Sequence, residues 1–370
     1  MALLLSDPRA ALVDEFGEVP EGFENAVFRP REVDRVISRA TPSGHRLKVR
    51  PKRGDKPLSV VTRYFLGTPE LVVVFYTKRC RYQCTFCTLP ATSAYGDVPT
   101  ESIQAQLKAA LEFATQELPD IRMVSLGNEG SILDEETFSR EQLRYALETC
   151  AALPSADEIV LETRAEFATE ALLDELVELV SPKRLTLKIG LESADPQVRE
   201  RILRKKMDLG GFERVVRSLG ERDIGLASYV LVKADPSHSD TDGRADAIAT
   251  CEYLKDLCKS SNTRLTLRVN SMYRAEGSLW STWAESQGWT PPSLFDIAEV
   301  MYAVADEDVQ VFAGLSEEGL ATPGGHFEAR EDFQPWALTA LEEYNRSGKI
   351  DLLRQVATHR SIGAPAPEPR

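Results

Sequence analysis

The chain has 370 residues, 42% hydrophobic and 28% charged, an ordinary globular mixture that can bury a large core. Its 44 basic and 58 acidic side chains leave a net charge of −14, which argues against a protein that grips a long nucleic acid through an electropositive face. No apolar run approaches the roughly 20 residues of a membrane span, and "MALLLSDPRA" has no basic n-region, so a cytoplasmic protein without a signal peptide is expected.

Residues 1–65 are rich in proline and charge and lack a regular period, which predicts an irregular N-terminal extension with one or two strands. Within it, "HRLKVRPKRGDKP" sets Arg46, Lys48, Arg50, Lys52, Arg53 and Lys56 against Asp55. It reads either as a solvated basic loop or as a contact for phosphate or carboxylate. From about residue 70, short β-branched runs alternate with longer amphipathic stretches, the signature of βα units on a parallel sheet. The predicted strands are 71–76, 122–126, 158–163, 184–192, 225–233 and 264–270, with helices near 100–116, 136–152, 166–180, 211–221 and 242–260. Thr100 and Asp134 are expected to cap two of these helices. Six such units predict an α/β fold, a partial (β/α)6 TIM-like barrel over 66–290, with a doubly wound open sheet as the alternative. The aromatic stretch after residue 270 leads into a mostly helical C-terminal extension, 291–362, that closes the barrel's open side, and "GAPAPEPR" (363–370) reads as a disordered tail.

The first predicted strand runs into "FYTKRCRYQCTFCTLP", where Cys80, Cys84 and Cys87 are spaced Cx3Cx2C. Loops at strand C-termini form the active face of a parallel βα fold, which places these thiols at the barrel mouth. A structural zinc site closes with four ligands, and none of the four histidines lies in this loop. A redox dithiol would use only Cys84 and Cys87. An iron–sulfur cubane normally takes four thiolates, so three leave one iron open to chemistry. Cys150, Cys251 and Cys258 are scattered and read as buried free thiols in a reducing compartment.

The three-cysteine spacing, with Phe86 before the last cysteine, resembles the radical S-adenosylmethionine (AdoMet) superfamily. The resemblance implies a [4Fe–4S] cluster on the three thiolates, with AdoMet chelating the open iron and yielding a 5′-deoxyadenosyl radical on reduction. It extends from about residue 57 to 304. After the second strand, either Gly127-Asn128-Glu129 or Gly130-Ser131 stands where the family has a GGE-like turn at the methionine amino group. "ETRAEF", with Glu162, Thr163 and Arg164, is similar to a signature of two tRNA-acting branches, the elongator-like enzymes and the archaeosine synthase radical subunit, although Ala165 replaces their proline. "IGLESADPQVRERILRKK" is similar to their following segment, which implies Glu192 and Ser193 near the ribose and Lys205 at the AdoMet carboxylate. A solvated helix-end cation remains open for Lys205. "RLTLRVNSMYRAEGSLWSTWAESQGWTPP" resembles the archaeosine subunit's later segment. The compact cysteine loop departs from those branches, and the elongator branch's acetyltransferase domain is not expected in these 370 residues.

On the substrate side, Tyr229, Lys233, Arg268, Asn270 and Tyr273 are candidates. Arg268 and Asn270 alternate with apolar residues and should share a face; if inward, Arg268 is placed to hold an anion, the other reading being a surface ion pair. Tyr273, Trp280, Trp283 and Trp289 could cover the pocket or simply pack the core. The resulting expectation is a radical enzyme acting on a small molecule, supplied by a low-potential electron donor of the flavodoxin or ferredoxin type. The alternatives are a tRNA-base-modifying enzyme and a non-catalytic metal protein.

Overall fold

The structure, a computed structural model, describes residues 54–362 apart from 83, 90, 91, 95, 119, 317 and 318. The basic stretch through Arg53, most of the expected N-terminal extension and the 363–370 tail lie outside the described residues.

Strands β1 (Ser59–Phe65) and β2 (Thr68–Phe75) form an antiparallel hairpin turned by Leu66 and Gly67, both at positive φ, the geometry of a two-residue hairpin turn. The chain then alternates through α1 (Thr100–Glu117), β3 (Met123–Asn128), α2 (Arg140–Ala151), β4 (Glu158–Thr163), α3 (Glu170–Val180) and β5 (Arg184–Glu192). It continues with α4 (Leu209–Gly220), β6 (Gly225–Val232), α5 (Asp240–Ser260) and β7 (Leu265–Ser271). The C-terminal part holds α6 (Leu279–Ser286), α7 (Leu294–Val304), β8 (Val309–Gly314), α8 (Pro335–Ser347) and α9 (Ile350–Ile362). One sheet runs in the order β1 to β8, and every pairing from β2 onward is parallel.

This is the expected α/β partial barrel with a helical C-terminal part, extended by a strand at each edge. β1 comes from the N-terminal extension, where one or two strands were expected, and β8 from the C-terminal one, which was expected to be mostly helical. The edges approach each other: Phe65 of β1 stacks on Phe312 of β8 with ring centroids 4.7 Å apart. Helix α8 bridges the seam, Asn345 accepting from Ala313 N at 2.9 Å and donating to Ala313 O at 2.8 Å, while its own carbonyl accepts from Leu66 N at 2.7 Å.

The strands alternate, with an unusual division between faces. Leu71, Val73, Val124, Leu126, Ile159, Leu161, Leu187, Ile189, Leu226, Val230, Leu267 and Val269 belong to the main core, packed with Leu107, Leu147, Leu173 and Leu254 of the helices. Burying each such side chain contributes about 1.5–3 kcal/mol. The inner face carries Glu70, Ser125, Glu158, Glu162, Thr186, Lys188, Tyr229, Arg268 and Asn270, so the barrel is filled with polar groups.

Two helix starts differ from expectation. Helix α1 begins at Thr100 and has at its N-cap Pro99, which makes no side-chain capping bond. Helix α2 starts at Arg140 behind a capping box of Ser139 and Gln142. Asp134 lies earlier, in a turn, accepting from Glu136 N at 3.1 Å and pairing with Arg81.

Candidate active site

The loop after β2 is held down at several points. Thr85, between Cys84 and Phe86, donates from its backbone to Leu203 O at 3.0 Å and from its hydroxyl to Ile202 O at 2.6 Å, and it accepts from Trp280 N at 3.0 Å. Cys87 N closes a turn on Cys84 O at 3.1 Å, and Tyr82 N donates to Cys80 Sγ at 3.4 Å. Tyr82 lies under the Arg164 guanidinium, 3.7 Å from ring centroid to Cζ, and that guanidinium donates to the Lys205 carbonyl at 2.7 Å and the Lys206 carbonyl at 3.1 Å. Arg164 therefore braces the cysteine loop against the segment that carries Lys205.

Cys80, Cys84 and Cys87 line one cavity of about 250 Å³ at the C-terminal ends of the parallel strands. Its wall brings together Phe86, Asn128, Glu129, Gly130, Glu162, Thr163, Arg164, Glu192, Lys205, Tyr229, Asn270 and Tyr273, all singled out from sequence. Lys205 Nζ donates to Glu192 Oε1 at 2.6 Å, both residues being buried. The pair depends on Gly190, where an added Cβ would stand 2.2 Å from Glu192 Oε1, and on Glu192 itself at φ 69°. Burial alone would lower the Lys205 pKa, but Glu192 outweighs it and holds the ammonium charged. Gly130 gives the second close approach, since a Cβ there would meet the Cys80 Cβ at 3.0 Å.

At the cavity floor Lys188 Nζ pairs with Glu162 Oε2 at 2.7 Å, and the Tyr229 hydroxyl donates to the same oxygen at 3.3 Å. Burial, then the Glu162 charge, pushes the Tyr229 phenol up, so it stays a donor. Ser93 donates to Glu129 Oε2 at 2.6 Å on the opposite wall. Asn270 Oδ1 is buried without a hydrogen-bond partner.

Other sequence candidates fall outside this wall. Gly127 sits behind Glu162, and the Ser131 hydroxyl bonds Thr163 Oγ1 at 2.5 Å, so both back the wall without reaching it. Ser193 donates to Asp246 Oδ1 at 2.8 Å and shapes the turn after β5. Lys233 turns away at φ 64° and donates to Asp240 Oδ1 at 2.7 Å and Thr290 O at 2.9 Å. Arg268 shares the inner face with Asn270 as expected but lines a separate, lower cavity. Of the tryptophans, Trp280 donates to Ala234 O at 2.7 Å and packs edge-on to Trp289 in a cluster with Trp283 beneath Phe86, which is core packing. Thr85, Tyr82 and Ser93 were not anticipated, because each acts through a partner distant in sequence, and Gly190 was not because its role is to leave room for the Glu192–Lys205 contact. Cys150, Cys251 and Cys258 are buried free thiols, as expected.

The donor set fits a cluster with an open position. Three thiols face the cavity, and neither a fourth cysteine nor a histidine is among its described lining residues. No group of three or more His, Cys, Asp or Glu side chains among the described residues is arranged to hold a single metal ion. Burial is the leading cause that raises all three thiol pKa values, with Lys205 and Arg164 opposing it at Cys84. Such thiols become thiolates when a metal compensates their charge.

Residues 74–234 match the family described as the Radical SAM superfamily. An uncharacterized protein of Methanocaldococcus jannaschii is 22% identical over 293 residues, covering 76% of this chain and 78% of its own. Archaeosine synthase subunit beta of Thermococcus kodakarensis is 27% identical over 229 residues, covering 61% and 67% respectively. The crystal structure of methylornithine synthase superposes with a TM-score of 0.45 at 14% identity, covering 97% of both chains. No helix among the described residues is long and apolar enough to cross a membrane. The chain is an enzyme with a radical SAM superfamily domain over residues 74–234, and it resembles archaeosine synthase subunit beta.

Proposed function

We propose that Cys80, Cys84 and Cys87 hold a [4Fe–4S] cluster whose fourth iron takes AdoMet, and that the enzyme abstracts hydrogen from a small molecule in the same cavity. The carrying observation is the single cavity that gathers the three thiols with Glu129, Glu192, Lys205, Glu162, Tyr229 and Asn270. Bound there, the pair of cofactors supplies a 5′-deoxyadenosyl radical. The chain's own residues do the rest. Asn128 Oδ1 accepts from Gly130 N at 3.0 Å and fixes the turn at which the AdoMet amino group is held, with Glu129 beside it. Lys205 offers an ammonium to the AdoMet carboxylate, and Glu192 an oxygen to its ribose hydroxyls. Thr163 and Arg164 shape the wall, and Phe86 covers the cysteine loop over the tryptophan cluster.

Glu162, Tyr229, Asn270 and Tyr273 are left to orient the substrate and exclude water, as a primary carbon radical demands. The barrel domain is assigned to 66–290 and the C-terminal extension, which adds Ser316 and Leu320 to the wall, to 291–362. A flavodoxin- or ferredoxin-type donor supplies the electron. A tRNA base is the second reading, favoured by the relatives named archaeosine synthase subunit beta; the net charge of −14 favours the first. Candidate substrates deuterated at the reacting carbon test the reading. Transfer of the label into 5′-deoxyadenosine supports it, and salt-sensitive retention of tRNA, with label transfer only from that tRNA, moves the assignment to the second.

A further inference from the structure

A second cavity, of about 220 Å³, lies inside the barrel at the N-terminal ends of the strands and shares no lining residue with the first. The Lys188–Glu162 pair and Tyr229 form the layer between them. Four cations line the lower cavity, Arg184, Lys188, Arg264 and Arg268, against the carboxylates of Glu70, Glu158 and Asp308. Most of these charges are already matched. Glu158 takes Arg184 at 3.1 Å and Arg264 at 3.7 Å, and accepts from Thr186 Oγ1 at 2.5 Å. Glu70 takes Arg63 on one oxygen at 2.6 Å and Ser125 on the other at 2.5 Å. Lys188 is occupied by Glu162.

Arg268 is the exception. It is 9% exposed, its Nε is buried without a hydrogen-bond partner, and no direct ion pair reaches its guanidinium among the described residues; Glu70 lies near enough to feel its charge, but both carboxylate oxygens are bonded to Arg63 and Ser125. Three aromatic rings surround it instead, Phe312 at 4.6 Å, Phe65 at 5.4 Å and Tyr229 at 5.6 Å from Cζ to centroid. Ring faces attract the cation but leave its in-plane N–H donors unmet, and a buried charge is expensive without a hydrogen-bonded counter-charge. The cavity is open to solvent beside Arg184 and Arg264, whose side chains, both shared with Glu158, are 57% and 38% exposed.

We propose that this lower cavity binds a small oxyanion, a carboxylate or phosphate, with Arg268 as its anchor. Forked N–H donors match the two oxygens of such a group, and the volume, that of roughly seven waters, suits a compact one. The site goes beyond the radical reading and does not depend on the cluster.

Calorimetric titration of the anaerobic holoenzyme with inorganic phosphate and, in a separate arm, with succinate tests the proposal and distinguishes the two anions. Saturable binding of one of them at one site per chain is expected, at least tenfold weaker in Arg268→Met and unchanged in Cys84→Ala. Should Arg268→Met fail to fold, crystals of the wild-type holoenzyme soaked in selenate should place an anomalous peak beside Arg268. Absence of saturable binding of both anions, equal binding by a folded Arg268→Met, or a peak elsewhere only would overturn the proposal.

Discussion

Lys205 and Glu192 form the most consequential single contact in the upper cavity, two opposite charges buried together. Removing one partner strands the other, which typically costs about 3–5 kcal/mol, whereas replacing both with apolar groups is often close to neutral. Lys205→Met should therefore lower the urea-unfolding free energy by about 3 kcal/mol, and Lys205→Met combined with Glu192→Leu should recover most of it. A double variant no more stable than the single one would show that the pair does not act as a unit. Glu70 gives a pH signature. Burial pushes its carboxyl up, but Arg63 and Arg268, with hydrogen bonds from Arg63 and Ser125, outweigh it and hold the pKa below the ordinary 4.5. A depressed pKa contributes stability above the unfolded-state value that is lost as pH falls through the folded-state value. The stability gap between wild type and Glu70→Gln should be widest at neutral pH and narrow progressively below about pH 4.5; denaturation curves across that range would read it, and a constant gap would contradict it. The cysteine spacing was legible because it is local. Lys205 and Glu192 were both legible as candidates while their pairing was not, since the contact needs Gly190 and a positive φ at Glu192. Lys233 was misplaced for the reverse reason: strand alternation was carried one residue past Val232, where the chain turns over.

At the scale of elements, the six βα units were readable because each outward strand face is a dense run of leucine, isoleucine and valine. The helix starts were less so. A threonine before acidic residues suggests a cap for α1, but Pro99 holds that position, and Ser139 serves α2 where Asp134 was expected. Strand β8 escaped notice because "VQVFAG" is short and follows an acidic segment, and its pairing with β7 is set by tertiary contact. The β1–β8 seam depends on α8, where Asn345 supplies to β8 the hydrogen bonds a neighbouring strand would give. Asn345→Ala should cost about 1–3 kcal/mol by leaving both backbone groups of Ala313 unmet. Hydrogen exchange at Ala313 should accelerate in the same variant; unchanged protection there would mean that the Asn345 side chain does not hold the seam.

For the whole molecule, the division of labour runs between outside and inside. The hydrophobic core lies between the outer sheet face and the helices, which frees the barrel interior for charge and divides it into an upper cavity with the thiols and a lower one around Arg268. The C-terminal part ties into the thiol-lined cavity's face through Trp280, whose backbone reaches Thr85 inside the cysteine loop. Sequence pattern could place Arg268 and Asn270 on one face but not in separate cavities, because depth along the barrel depends on how the strands are staggered. The cluster claim is tested most directly by reconstituting the protein anaerobically with iron and sulfide, then supplying dithionite and AdoMet. About four irons per chain and release of 5′-deoxyadenosine are predicted, with that product abolished in Cys84→Ala. A chain that retains a single zinc ion, or that takes up iron and leaves AdoMet intact under these conditions, would contradict the account.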